Sequence, residues 1–154
     1  MALEIERKYL VINESYREMA IEKRHIAQGY LSTDPDKTVR VRIAGTRAFL
    51  TVKSRNQGDV RHEWEYEIPV SDAEEMLELC TGTVLAKWRY IVPFEGWTWE
   101  VDEYENNLEG LVVAEVEIDN PDRKVPLPSF AGEEVTGRPE YYNSTLALRA
   151  YGKA

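Results

Sequence analysis

The 154-residue chain reads as a mainly β fold of the α+β class: eight short strands, enough to close an antiparallel barrel, with helices packed outside. Three observations point there. Eight segments alternate polar and apolar residues with period two, and Gly, Pro, Asn or Asp punctuates the gaps. The polar face of each strand bears charge, and the charges segregate by strand instead of mixing with Thr, Ser and Gln. The opposite faces carry all four tryptophans and several tyrosines, an aromatic area that needs cover.

The first strand, Leu3–Val11, contains no Gly or Pro, and sets Glu4, Glu6 and Lys8 against Ile5, Arg7 and Tyr9. Asn13–Ala20 follows as a short helix capped by Asn13. Ile21–Ser32 is the second strand, with Gln28 and Tyr30 opposite Ala27 and Leu31. Past the Asp34-Pro35-Asp36 turn, Thr38–Ile43 puts Arg40 and Arg42 on one face and Val39, Val41 and Ile43 on the other. Ala48–Ser54 is the fourth, where Phe49, Thr51 and Lys53 oppose Leu50 and Val52. In Arg61–Ile68, Arg61, Glu63, Glu65 and Glu67 oppose His62, Trp64, Tyr66 and Ile68. His62 therefore reads as a hydrogen-bonded histidine packed on the apolar side. Ser71-Asp72-Ala73-Glu74 is a capping box, opening a helix whose apolar stripe is Met76, Leu77 and Cys80. Lys87–Val92 sets Lys87 and Arg89 against Trp88, Tyr90 and Val92. Trp97–Tyr104 sets Thr98, Glu100 and Asp102 against Trp97, Trp99 and Val101. Leu111–Ile118 places Val113, Glu115 and Glu117 opposite Val112, Ala114, Val116 and Ile118. Pro121–Pro128 is loop, and Tyr142–Tyr151 is a final helix capped by Asn143 or Ser144.

Size, charge and cysteine content narrow the class. No repeat or linker divides the chain, so residues 1–154 form one domain. No apolar run reaches the ~20 residues that span a bilayer, and no signal peptide opens the chain; a cytoplasmic protein without membrane contact is the expectation. A single cysteine rules out an intramolecular disulfide and a Cys-rich zinc site, and two histidines leave little for zinc otherwise. A net charge of −9 should repel nucleic acid. Phosphate on a substrate would then require the acids to recruit metal.

A solvated antiparallel sheet would also show one charged face per strand. If the strands instead close with apolar faces outward, the lumen is charged. Its inner faces hold eight acids and six bases, a formal excess of two negative charges, with Arg61 and Glu67 cancelling near the strand ends. Unpaired buried ions cost several kcal/mol each, so such a lumen must be wet or liganded. Carboxylates without His or Cys suit Mg²⁺ or Mn²⁺.

Glu4-Ile5-Glu6-Arg7-Lys8 resembles the ExExK signature of the CYTH superfamily, the triphosphate tunnel metalloenzymes. The likeness continues through Gln28-Gly29-Tyr30-Leu31, Arg40-Val41-Arg42, Lys53, Glu63-Trp64-Glu65, Lys87-Trp88-Arg89-Tyr90, Asp102 and Glu115-Val116-Glu117. It covers nearly the whole chain, and the short length resembles the compact bacterial inorganic triphosphatases of that family. The resemblance implies an eight-stranded tunnel and hydrolysis of tripolyphosphate to pyrophosphate and phosphate with Mg²⁺ or Mn²⁺. It implies that Glu4, Glu6 and Glu117, with Glu115, hold the metal engaging the triphosphate. Lys8, Arg40, Arg42, Lys53, Lys87 and Arg89 would clamp phosphate oxygens. Glu63, Glu65 and Asp102 would serve a second metal or orient water. Tyr30 and Lys87 are candidate bases, although a free phenol titrates near ~10 and a free amine near ~10.4. Tyr30 ranks first as a positioning group. The expected partner is a small triphosphate, on a monomer or homodimer. Nucleoside or thiamine triphosphatases, class IV adenylate cyclases and a non-catalytic polyphosphate-binding module are the alternatives.

Overall fold

The computed structural model describes residues 2–152. In chain order the elements are β1 (Ala2–Val11), α1 (Tyr16–Met19), β2 (Glu22–Ser32), β3 (Lys37–Ala44), β4 (Arg47–Ser54), β5 (Val60–Ile68), α2 (Val70–Leu77), β6 (Thr81–Phe94), β7 (Trp97–Tyr104), β8 (Val112–Glu117), β9 (Ala131–Glu134) and α3 (Asn143–Gly152). Every strand pairs antiparallel with its neighbours, in the order β5-β4-β3-β2-β6-β7-β8-β1, and β1 returns to β5. The eight strands thus close a barrel.

The closure divides β1 in two. Its start pairs with β5, from Ala2↔Glu63 to Ile5↔Val60, and its second half pairs with β8, from Glu6↔Glu117 to Leu10↔Val113. Beyond Ile5 the β5-side edge of β1 would be bare. β9 covers it, with Tyr9 opposite Glu134 and Val11 opposite Ala131. Four residues, Ala-Gly-Glu-Glu, are too short and too polar to announce a strand, and the sequence reading passes over them. The reading also places β6 at Lys87–Val92, whereas the strand runs for 14 residues. Its early part pairs with β2 as far as Tyr30↔Thr81, and its late part forms a hairpin with β7 through Phe94↔Trp97.

Two helix caps differ from expectation. Asn13 does not cap a helix from Asn13 to Ala20; its Oδ1 accepts the Ser15 N–H at 3.0 Å in a local turn, and α1 is four residues long. The Ser71 capping box does not form, because α2 starts at Val70 behind Pro69, and no side chain caps it.

The outward faces of β1, β6, β7 and β8 bury Ile5, Tyr9, Tyr90, Val92, Trp99, Val101 and Val116 with Tyr16 of α1 and with Phe130. α2 lays Ala73, Met76 and Leu77 over Val41, Ala48 and Leu50. α3 behaves differently. Its Leu146 and Ala147 pack with Tyr30, Leu85, Tyr104 and Val113. Alternation puts these four on the lumen side of their strands, so α3 closes one end of the barrel. His62 is exposed on the outer wall, its ring 6.2 Å from that of Trp64 and without a hydrogen bond among the described residues, because no helix covers that part of β5; only its backbone N–H donates, to Ser54 Oγ at 2.9 Å.

Candidate active site

Ring order turns strand-by-strand charge into two walls. The inward bases of β4, β3 and β6 lie on one half of the barrel, with β2 between β3 and β6 presenting the neutral Gln28 and Tyr30. The carboxylate strands β7, β8, β1 and β5 are consecutive around the other. Between the walls lies a cavity of about 240 Å³, bordered by eight carboxylates and six cations. A formal excess of two negative charges remains.

Cross-strand register supplies the contacts. Lys53 Nζ reaches Glu4 at 3.1 Å and Glu63 at 3.3 Å, and Arg61 Nε reaches Glu4 at 3.1 Å. Burial raises the Glu4 carboxyl, but Lys53 and Arg61 outweigh it and hold it at about 2. Burial and the Arg40 charge push Lys53 down. Burial and nearby Glu4 raise Glu63. Arg40 lies 3.4 Å from Glu65, which also accepts the Thr51 hydroxyl at 2.8 Å. Lys8 Nζ stands 3.8 Å from Glu115 and donates to the Tyr141 carbonyl at 3.0 Å.

The walls are only partly neutralised by each other. Arg42 has no carboxylate partner among the described residues: it donates to Gln28 Oε1 at 2.9 and 2.8 Å. Burial, with Arg40 and Arg89 nearby, lowers it to about 9. The buried Arg40 Nε has no hydrogen-bond partner among the described residues. Both features suit an incoming anion. On the acid wall, burial and the charges of Glu115 and Glu4 push Glu6 well up. Glu115, although buried, is held far down by Lys8 and by its hydrogen bond with Glu6. Glu117 is raised by burial and by Glu4 and Glu100.

Most of the residues expected from sequence border this cavity: Glu4, Glu6, Lys8, Tyr30, Arg40, Arg42, Lys53, Glu63, Glu65, Arg89, Glu115 and Glu117. Lys87 and Asp102 do not. Both side chains are 0% exposed, beneath the lumen surface. Arg89 grips Asp102 with two hydrogen bonds of 2.8 and 2.9 Å. Lys87 Nζ lies 2.8 Å from Asp102 Oδ2, an ion pair whose angle falls outside hydrogen-bond geometry. Burial draws Lys87 down to about 7 despite Asp102. Burial raises Asp102, yet Arg89 and Lys87 hold it at about 2. Arg61 and Glu67 do not cancel: Arg61 faces Glu4, while Glu67 pairs with Arg47 outside, at 2.7 Å. The shared face of Arg61 with Glu63 and Glu65 was the available signal. Asp59, Asn143 and Ser144 also border the cavity; Asn143 and Ser144 were marked in the sequence only as helix caps, and Asp59 only as part of a turn.

The acid wall fits a hard divalent cation by donor chemistry, being all oxygen, with Glu6 and Glu117 raised by burial and neighbouring carboxylates and without an ion-pair partner among the described residues. Among the described residues no three carboxylate, His or Cys groups are already gathered at ligating geometry. The reason is visible: Lys53 and Arg61 draw Glu4 aside, and Lys8 draws Glu115.

A closed antiparallel barrel with a cationic wall facing a carboxylate wall defines a charged-tunnel protein. The chain belongs to the CYTH domain family, which matches residues 2–151. It is similar to an inorganic triphosphatase of Acetivibrio thermocellus, 45% identical over 98% of this chain and 97% of that one. An inorganic triphosphatase of Nitrosomonas europaea is 36% identical over 94% of this chain and 97% of its own. A crystal structure of an inorganic triphosphatase superposes with a TM-score of 0.66 at 33% identity, covering 96% of each chain.

Proposed function

We propose that this chain is a metal-dependent inorganic triphosphatase, cleaving tripolyphosphate with water to pyrophosphate and phosphate in the cytoplasm, with Mg²⁺ or Mn²⁺ as cofactor. The whole chain acts as one CYTH unit. The observation that carries the reading is the basic wall facing the acid wall across one small cavity. The two similar bacterial triphosphatases support it along nearly their full length.

Phosphoryl transfer is catalysed mostly by positioning and charge stabilisation, and the residues suit that. Arg40, Arg42, Lys53, Arg89 and Lys8 bind the phosphate oxygens; the arginines offer paired donors. Gln28 holds the Arg42 fork in place, and Asp102 orients Arg89 while anchored from below by Lys87. Asp102 is therefore a positioning residue, with both its oxygens already engaged by cations. Tyr30, whose hydroxyl accepts from Gln28 at 3.2 Å, positions the same group. Glu4, Glu6, Glu115 and Glu117 would hold the cation, which supplies Lewis-acid neutralisation of phosphate oxygens. Glu63 and Glu65, at the border with the basic wall, orient water.

Phosphate release from tripolyphosphate with Mg²⁺ or Mn²⁺ tests the reading. Arg42→Ala and Glu6→Gln should each lower kcat/KM by about 10²-fold, and EDTA should abolish turnover. Full activity in EDTA would exclude the metal role. Cyclic AMP formed from ATP would move the enzyme to the cyclases, and tight metal-free binding without phosphate release would make it a binding module.

A further inference from the structure

We infer that the first turn of α3 is an anion subsite of the lumen, taking the terminal phosphoryl group of the substrate at the closed end of the barrel. The inference rests on the triphosphate reading above. Asn143 and Ser144 read as helix caps in the sequence, and neither caps. The first helical bond runs from the Leu146 N–H to the Tyr142 carbonyl at 2.8 Å. The N–H groups of Asn143, Ser144 and Thr145 consequently have no acceptor within the helix, nor any other among the described residues. Asn143 Oδ1 accepts the Tyr104 hydroxyl instead, which ties the turn to β7.

Ser144 gives the independent sign of a ligand. Its residue is only 6% exposed, it borders the lumen cavity, and its hydroxyl makes no hydrogen bond with any described residue. The hydroxyl keeps its accessible surface on the lumen side, so its hydrogen-bonding capacity is left to whatever enters the cavity. Free N–H groups, a spare hydroxyl and the positive end of a ten-residue helix together match tetrahedral phosphate oxygens. Lys8 adds a full charge alongside, its Nζ bonded to the Tyr141 carbonyl two residues before the helix. Behind this turn, Leu146 and Ala147 seal the barrel against Tyr104 and Val113. An ester substituent on that phosphate would have no exit, so the subsite selects an unsubstituted end. Product phosphate has the same chemistry, and the test separates the two.

The full-length enzyme is compared with Ser144→Ala and Ser144→Thr for steady-state kinetics on tripolyphosphate, inhibition by inorganic phosphate, and melting temperature. Ser144→Ala should raise KM about tenfold, the loss of a hydrogen bond to a charged group. Its kcat should change less and its melting temperature should hold, while Ser144→Thr should keep a near-normal KM. Weaker phosphate inhibition with unchanged KM would overturn the assignment in favour of free product. Unchanged KM and inhibition, or equal losses of stability and activity in both variants, would overturn it outright. A wild-type chain that releases no phosphate would sink the parent reading instead. Calorimetric binding of tripolyphosphate to wild type and Ser144→Ala would then still decide the subsite, equal affinity overturning it.

Discussion

Asp102 carries more of the site than its lack of exposed surface suggests. One carboxylate balances two buried cations, Arg89 at 2.8 Å and Lys87 at 2.8 Å. Removing one partner of a buried ion pair costs about 3–5 kcal/mol, because the remaining charge stays buried and uncompensated. Asp102→Asn is expected to destabilise by that order in urea denaturation. The wild type should also show an acid limb that the variant lacks. Asp102 sits at about 2 when folded, below the ~3.9 of an unfolded aspartate, so the unfolded state binds more protons between those values. The stabilisation is complete above about pH 4 and disappears as pH falls towards 2. A variant as stable as wild type, with the same acid limb, would show that the triad does not hold the basic wall. Alternation marked Asp102 and Lys87 as inward-facing, correctly, but gave them the same standing as Glu100 and Arg89. Depth below the lumen surface depends on how neighbouring side chains stack, and no local pattern records it.

At the scale of elements, β2 meets α2 through Gly29. A Cβ there would lie 2.6 Å from Cys80 Sγ, 3.0 Å from its Cβ and 3.2 Å from Leu77 Cδ2. The glycine is needed for close approach, since its backbone is ordinary strand. Gly29→Ala should cost about 1–3 kcal/mol by overpacking. Shifting β2 would also disturb Gln28 and Tyr30, the lumen residues on either side, and so raise KM. Cys80→Ala in the same chain should recover part of the stability, a coupling that denaturation of the double variant measures. Additive losses would mean that the strain lies elsewhere. The strands were legible because period-two alternation is a local signal. The caps were not: Asn13 Oδ1 accepts from the N–H and hydroxyl of Ser15 in a tighter local turn, and Pro69 moved the start of α2 ahead of Ser71. β9 was invisible for a different reason. It exists to cover an edge of β1 that only barrel closure exposes.

Across the whole molecule, a net charge of −9 coexists with a lumen holding two incompletely balanced walls. A cation and a phosphate anion should therefore bind more tightly together than apart, each relieving repulsion that the other cannot. Mn²⁺ or Mg²⁺ with pyrophosphate is expected to raise the melting temperature beyond the sum of the separate shifts. Ligand at a hundredfold its Kd corresponds to about 2.7 kcal/mol of stabilisation. EDTA should reverse the gain. Scanning calorimetry with each component alone and with both together measures it, and merely additive shifts would contradict coupling between the walls.

The amino-acid sequence by itself determined which residues share a strand face, that acids and bases other than Lys8 and Arg61 occupy different strands, and that oxygen ligands rather than His or Cys are available. All three follow from spacing along the chain. Tertiary structure alone decided that the acidic strands adjoin one another and face the basic ones, that Lys87 and Asp102 sit beneath the surface, and that α3 turns its first residues into the lumen. Those outcomes depend on pairing between segments far apart in the chain, where strand order and register, not local alternation, set which charges meet.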